Sequence, residues 1–106
     1  MNLGIIISSN TPETVWNAFR LGVYACQQGD QVKTFLLGQG VESESLLDEK
    51  FVVPDQMQQF VDSGGEILAC GTCLEIRQSD SSDLCPISTM ADLHQLIDEA
   101  DKVVTF

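Results

Sequence analysis

The sequence predicts an α/β fold, a mostly parallel sheet with helices on both faces. Three observations carry that expectation. Apolar runs that suit strands alternate along the chain with stretches of helical spacing, and such alternation builds parallel sheets. The first run, Leu3 to Ser8, is continuously apolar up to its final serine, as befits a central strand covered on both faces. The chain has 106 residues, enough for one domain and too few for two, so 1–106 is read as a single domain.

Each element has its own signal. Ser8 to Glu13 is turn and helix-start chemistry, with Thr11 placed as the cap and Pro12 at the first helical position. Val15, Trp16, Phe19, Val23 and Cys26 then recur at three- and four-residue spacing, and Gly29 is the expected residue just past the helix end. Gln31 to Leu37 alternates and then turns fully apolar, a second strand ended by Gly38 and Gly40. Val41 to Lys50 is acidic and serine-containing and reads as a loop with one helical turn. Pro54-Asp55 starts a helix carrying Met57, Phe60 and Val61, stopped by Gly64-Gly65. Ile67 to Ala69 is the third strand, and Leu74 to Arg77 follows as a helical turn. Residues 78–83 are a polar loop, and Leu84 to Ile87 is a short extended piece, because the residue before Pro86 avoids the helical region. Ser88 is expected to cap a helix whose apolar side is Leu93, Leu96, Ile97 and Ala100, and Lys102 to Phe106 is the last strand.

Composition narrows the function. Five Lys plus Arg face 16 Asp plus Glu, a formal charge of -11. That surface repels phosphates and argues against binding DNA or RNA, while favouring solubility and leaving docking to a basic partner open. No apolar run approaches the roughly 20 residues that span a bilayer. The start, Met1-Asn2-Leu3-Gly4, lacks the basic and cleavage features of a signal peptide, so a cytoplasmic location is expected.

The chemistry is concentrated in Cys70-Gly71-Thr72-Cys73, where the third strand hands over to a helical turn. The carboxyl end of a strand is where ligands bind in α/β sheets, and free backbone N–H groups there favour an anion such as a thiolate. A lowered thiol pKa at Cys70 is the corresponding expectation. Gly71 allows close approach of the backbone, and Thr72 offers a hydroxyl donor. Three meanings compete. A redox pair would let Cys70 attack and Cys73 resolve. A zinc site would draw on Cys70, Cys73, Cys85 and His94 in the spacing C-x2-C-x11-C-x8-H, without the usual paired second half. A persulfide carrier would use one accessible thiol with donors around it. Structural cysteines packing a tight turn are the bland alternative, and Cys26, beside Tyr24 and Ala25, reads as a small buried hydrophobe. Gly38-Gln39-Gly40 lacks the spacing of a phosphate loop, and no Ser/His/Asp triad can be assembled.

Several stretches together resemble the DsrE/DsrF-like sulfur-relay family, in particular its small stand-alone YchN-like branch. They are the leading apolar strand, Leu37-Gly-Gln-Gly40-Val-Glu42, Ala69-Cys-Gly-Thr-Cys73-Leu74 with Arg77, Thr89-Met-Ala-Asp-Leu93, and Ala100-Asp-Lys-Val-Val-Thr-Phe106. The resemblance implies a three-layer α/β/α sandwich, homotrimers or hexamers or else heterohexamers of related subunits, and no organic cofactor. It also implies a persulfide on the cysteine that ends the Ile67–Ala69 strand, here Cys70, exchanged with sulfur donor and acceptor proteins. Cys73 is an extra thiol, read as resolving or tuning, and Thr72 as an anion donor. The apolar cluster Leu46, Leu47, Phe51, Val52 and Val53 is then a subunit interface or a local core plug.

Overall fold

The computed structural model describes residues 1–106. In chain order the elements are β1 (Asn2–Ile7), α1 (Pro12–Gln27), β2 (Gln31–Leu36), a 3-10 helix (Gly38–Ser45), α2 (Val53–Asp62), β3 (Glu66–Cys70), α3 (Gly71–Ile76), β4 (Ile87–Ser88), α4 (Met90–Glu99) and β5 (Lys102–Thr105). The five strands form one sheet in the order β4-β3-β2-β1-β5, and every pairing is parallel. The α/β class and the parallel sheet flanked by helices are as the alternation predicts.

The register sorts side chains onto two faces, because successive residues of a strand point to opposite sides. Ile5 is level with Thr34 and Thr34 with Ile67, while Ile7, Leu36, Ala69 and Ile87 form the next row on the same face. Helices α1 and α2 cover that face and pack on each other through Phe19 and Phe60, whose ring centroids are 5.6 Å apart. Val15, Ala18, Phe19, Val53, Met57 and Phe60 are all fully buried there. On the opposite face, α4 lies over β1: Leu96 fills the space left open at Gly4. This layer is thin. Leu96 is the one buried residue of α4, and Ile97, expected on its apolar side, is 48% exposed.

The local signals hold, with identifiable departures. Gly29 ends α1 with φ +91°, a conformation that suits glycine. Thr11 holds the cap position of α1 without a side-chain cap hydrogen bond. The cap of α4 is Thr89, not Ser88: Thr89 and Asp92 form a reciprocal capping box, and Ser88 is drawn into β4 beside Cys70. The acidic segment after β2 carries its helical turn as a 3-10 helix that begins earlier than expected, at Gly38, and ends at Ser45, with irregular chain over 46–50. The Ser43 hydroxyl holds the turn by donating to the Gly40 carbonyl at 2.6 Å. The apolar cluster behind it divides. Val53 is fully buried, Phe51 packs edge-on against Trp16 with centroids 5.2 Å apart, and Leu47 and Val52 point outward.

Candidate functional site

Parallel pairing brings the carboxyl ends of all strands to one edge of the sheet. The turn from β3 into α3 lies on that edge. Cys70 is both the last residue of β3 and the cap residue of α3, with extended backbone (φ -60°, ψ 117°). Ala69 and Cys70 pair with Ile87 and Ser88, so β4 walls one side of the turn. The chain from β2 into the 3-10 helix walls the other.

Cys70 is 3% exposed and lines an open cleft of about 610 Å³. Thr72, Glu75, Ser79, Ser88 and Thr89 supply the polar part of its wall, with Glu75 its one charged residue, and Leu74, Ile87 and Met90 the apolar part. Cys73 stands on the other side of Cys70, toward β2, and is half-buried. The Gly38 backbone N–H donates to its sulfur at 3.2 Å, and Cys73 lies three residues along the turn from Cys70. Both are free thiols.

The electrostatics correct one expectation. The Cys70 thiol is pushed above its ordinary value, not lowered. Burial is the main cause and the hydrogen bond with Cys73 the next, and the backbone N–H groups of Cys73 and Thr72 pull the other way. The donors at the turn are therefore present, but desolvation outweighs them. Thr72 takes part through its main chain; its side chain is exposed.

The remaining thiols belong elsewhere. Cys85 is 5% exposed and its pKa is pushed up to about 12 by burial, by the charge of Glu44 and by a hydrogen bond with Glu44. Cys26 is half-buried on α1 rather than fully buried, and burial raises its thiol too, with Asp30 adding to the effect. The zinc set suggested by spacing is not assembled. No three His, Cys, Asp or Glu side chains converge as metal ligands, and His94 is exposed on α4.

A chain of polar contacts holds the Cys73 turn. Arg77 donates through Nη1 to the Cys73 carbonyl at 3.1 Å and through Nε to Glu42 Oε2 at 2.8 Å. Asn10, from the turn after β1, donates to Glu42 Oε1 at 3.4 Å. The Arg77 hydrogen bond, then that from Asn10, holds the Glu42 carboxyl below the usual carboxylate range. Gly40 lets the 3-10 helix sit against the end of β1, because a Cβ there would collide with the Ile7 carbonyl. Gly38 and Asn10 carry no local signal of this role, since their partners lie 35 and 32 residues away.

A model of the DsrE/DsrF-like family matches residues 1–106. The chain belongs to the DsrE/DsrF-like family. Members are generally sulfur-relay proteins and often oligomeric. The chain is 30% identical over 114 residues to an uncharacterized protein of Methanopyrus kandleri, MK0008, covering 95% of this chain and 91% of that protein. It is also 30% identical over 100 residues to an uncharacterized protein of Methanocaldococcus jannaschii, MJ0989, covering 89% and 88%. For this member of the family, no helix is long and apolar enough to cross a membrane.

Proposed function

We propose that this DsrE/DsrF-like protein is a cytoplasmic sulfur carrier that holds a persulfide on Cys70. The observation that supports this most directly is the position of Cys70, at the end of β3 on the wall of an open cleft with a second thiol behind it. In loading, the Cys70 thiolate attacks the outer sulfur of a donor persulfide, R–S–SH. The bond between the donor's sulfurs breaks, R–S⁻ leaves, and Cys70–S–SH remains. In delivery, an acceptor thiolate attacks that outer sulfur and Cys70 leaves as thiolate. Atoms and charge balance in both steps, and no organic cofactor is required.

Burial keeps Cys70 protonated between transfers, which limits stray oxidation because the thiolate is the reactive form. Ionisation then belongs to the encounter with a donor, and the N–H groups of Thr72 and Cys73 are in place to receive the charge. The same burial also favours a second reading, an oligomeric scaffold in which Cys70 only packs the turn.

The two readings part on sulfur uptake. Cys73→Ser protein should be incubated with a low-molecular-weight persulfide, desalted and mapped by mass spectrometry. A gain of one sulfur atom on the Cys70 peptide, absent when Cys70→Ser is added, is the expected result. No uptake at Cys70 would leave the scaffold reading.

A further inference from the structure

A carrier needs one thiol at the site, and this turn carries two, three residues apart. We propose that Cys73 resolves the Cys70 persulfide, expelling its outer sulfur as sulfide and closing a Cys70–Cys73 disulfide. The inference rests on the carrier reading, and adds to it a second outcome for the bound sulfur.

The geometry favours the step. Residues three apart around a helical turn have Cα atoms about 5 Å apart, within the range of about 4.4–6.8 Å that a disulfide spans. Cys70 is the cap residue of α3 and Cys73 the third residue of its first turn. The cleft is lined by Cys70 and not by Cys73, so the outer sulfur of a persulfide has room on the cleft side, and Cys73 approaches the inner sulfur from the side of β2. Nucleophile and leaving group thus stand on different sides of the sulfur under attack. The Gly38 N–H at 3.2 Å is aimed at the Cys73 sulfur, where it stabilises a thiolate. Arg77 holds the Cys73 carbonyl, and Glu42 holds Arg77, so the turn that carries the nucleophile is pinned in place.

The step balances: the Cys70 persulfide plus the Cys73 thiol give the Cys70–Cys73 disulfide plus one hydrogen sulfide. The sulfur–sulfur bond to the outer atom breaks, and a new one forms between the two cysteine sulfurs. The outer sulfur is reduced to sulfide, the Cys73 thiol sulfur is oxidised to the disulfide level, and the Cys70 sulfur keeps its oxidation level. Regeneration takes an external dithiol, which reduces the disulfide by two successive exchanges and leaves as its own cyclic disulfide. Because attack by Cys73 is intramolecular, it outruns a free acceptor thiol unless that acceptor is docked at the cleft. A docked partner therefore receives sulfane sulfur, and an undocked carrier discharges sulfide.

The test compares wild type, Cys73→Ser and Cys70→Ser after brief exposure to the same low-molecular-weight persulfide and desalting. Wild type is expected to release one sulfide per loaded chain and lose two hydrogens, with peptide mapping joining Cys70 to Cys73. Cys73→Ser is expected to keep its persulfide at least tenfold longer and release little sulfide. Cys70→Ser is expected to do neither. Wild type that holds a stable persulfide on Cys70 without sulfide release would overturn the resolving role and leave the carrier reading standing. Absence of uptake in both wild type and Cys73→Ser would defeat the carrier reading itself. The wild-type measurement decides the resolving role even if a variant folds poorly.

Discussion

Thr34 is fully buried in β2, between Ile5 and Ile67, with no hydrogen-bond partner for its hydroxyl. Its β-branched shape suits a central strand, whereas its oxygen brings a desolvation cost. Thr34→Val keeps the shape and removes the oxygen. We expect it to stabilise the fold by about 1 kcal/mol, which raises Tm by about 4–8 °C in a domain of this size class. Thermal unfolding by circular dichroism checks this, and a lower Tm would show that the hydroxyl has a partner. The cysteines show how far single residues can be read from a sequence. The place of Cys70 at a strand end follows from the apolar run before it and Gly71 after it. Its pKa does not, because burial depends on β4 and α4, whose residues come later in the chain. Cys85 is the same case: it is close to the pair in sequence, yet its thiol is pushed up by burial and then by the charge of Glu44 from the 3-10 helix.

Among the elements, the 3-10 helix matters most to the site, and it is the one least visible in the sequence. Its residues are acidic and serine-rich with no helical period, so an amphipathic signal is absent. What fixes it is tertiary: Gly40 against the Ile7 carbonyl, and Glu42 against Arg77. The strands are legible because their apolar residues run together, and α1 because its apolar residues recur at helical spacing along the chain itself. The Glu42 contact also makes this element pH-sensitive. The folded protein holds the Glu42 carboxyl below its ordinary value, so the unfolded chain takes up the proton more readily. The stabilisation is therefore fully present above the ordinary glutamate pKa, about 4.3, and is lost as pH falls through the depressed value of the folded state. We expect amide hydrogen exchange over residues 38–45 to accelerate, relative to the core strands, on acidification through that window. Glu42→Gln should exchange faster near neutrality and lose most of the pH response. An unchanged pH response in Glu42→Gln would assign it to another group.

At the scale of the whole molecule, several large apolar side chains are left uncovered: Leu47 is 96% exposed, Ile76 73%, and at and before the start of α4 Ile87 and Met90 are 64% and 58% exposed. A chain with a charge of -11 that leaves such residues outside has good reason to self-associate, against its own repulsion. We expect light scattering at micromolar concentration to give a mass of at least three subunits, increasingly so as salt screens the charge. Leu47→Glu should lower the mass without lowering Tm, since that side chain makes no folding contact of consequence. Monomeric wild type across the salt range would rule this out. The placement of β1 has a further consequence, one of timing. Its two neighbours in the sheet are made far apart: β2 is complete soon after α1, but β5 pairs across nearly the whole sequence, with the Asn2 N–H donating to Asp101 99 residues on. A nascent chain on the ribosome therefore carries a finished apolar strand, Leu3–Ile7, with one flank unsatisfied until Lys102–Thr105 emerge from the exit tunnel. High contact order of this kind slows folding, and an unpaired strand flank invites pairing with other chains. Of the pairings in this sheet, the one between β1 and β5 is thus the last that a growing chain can make.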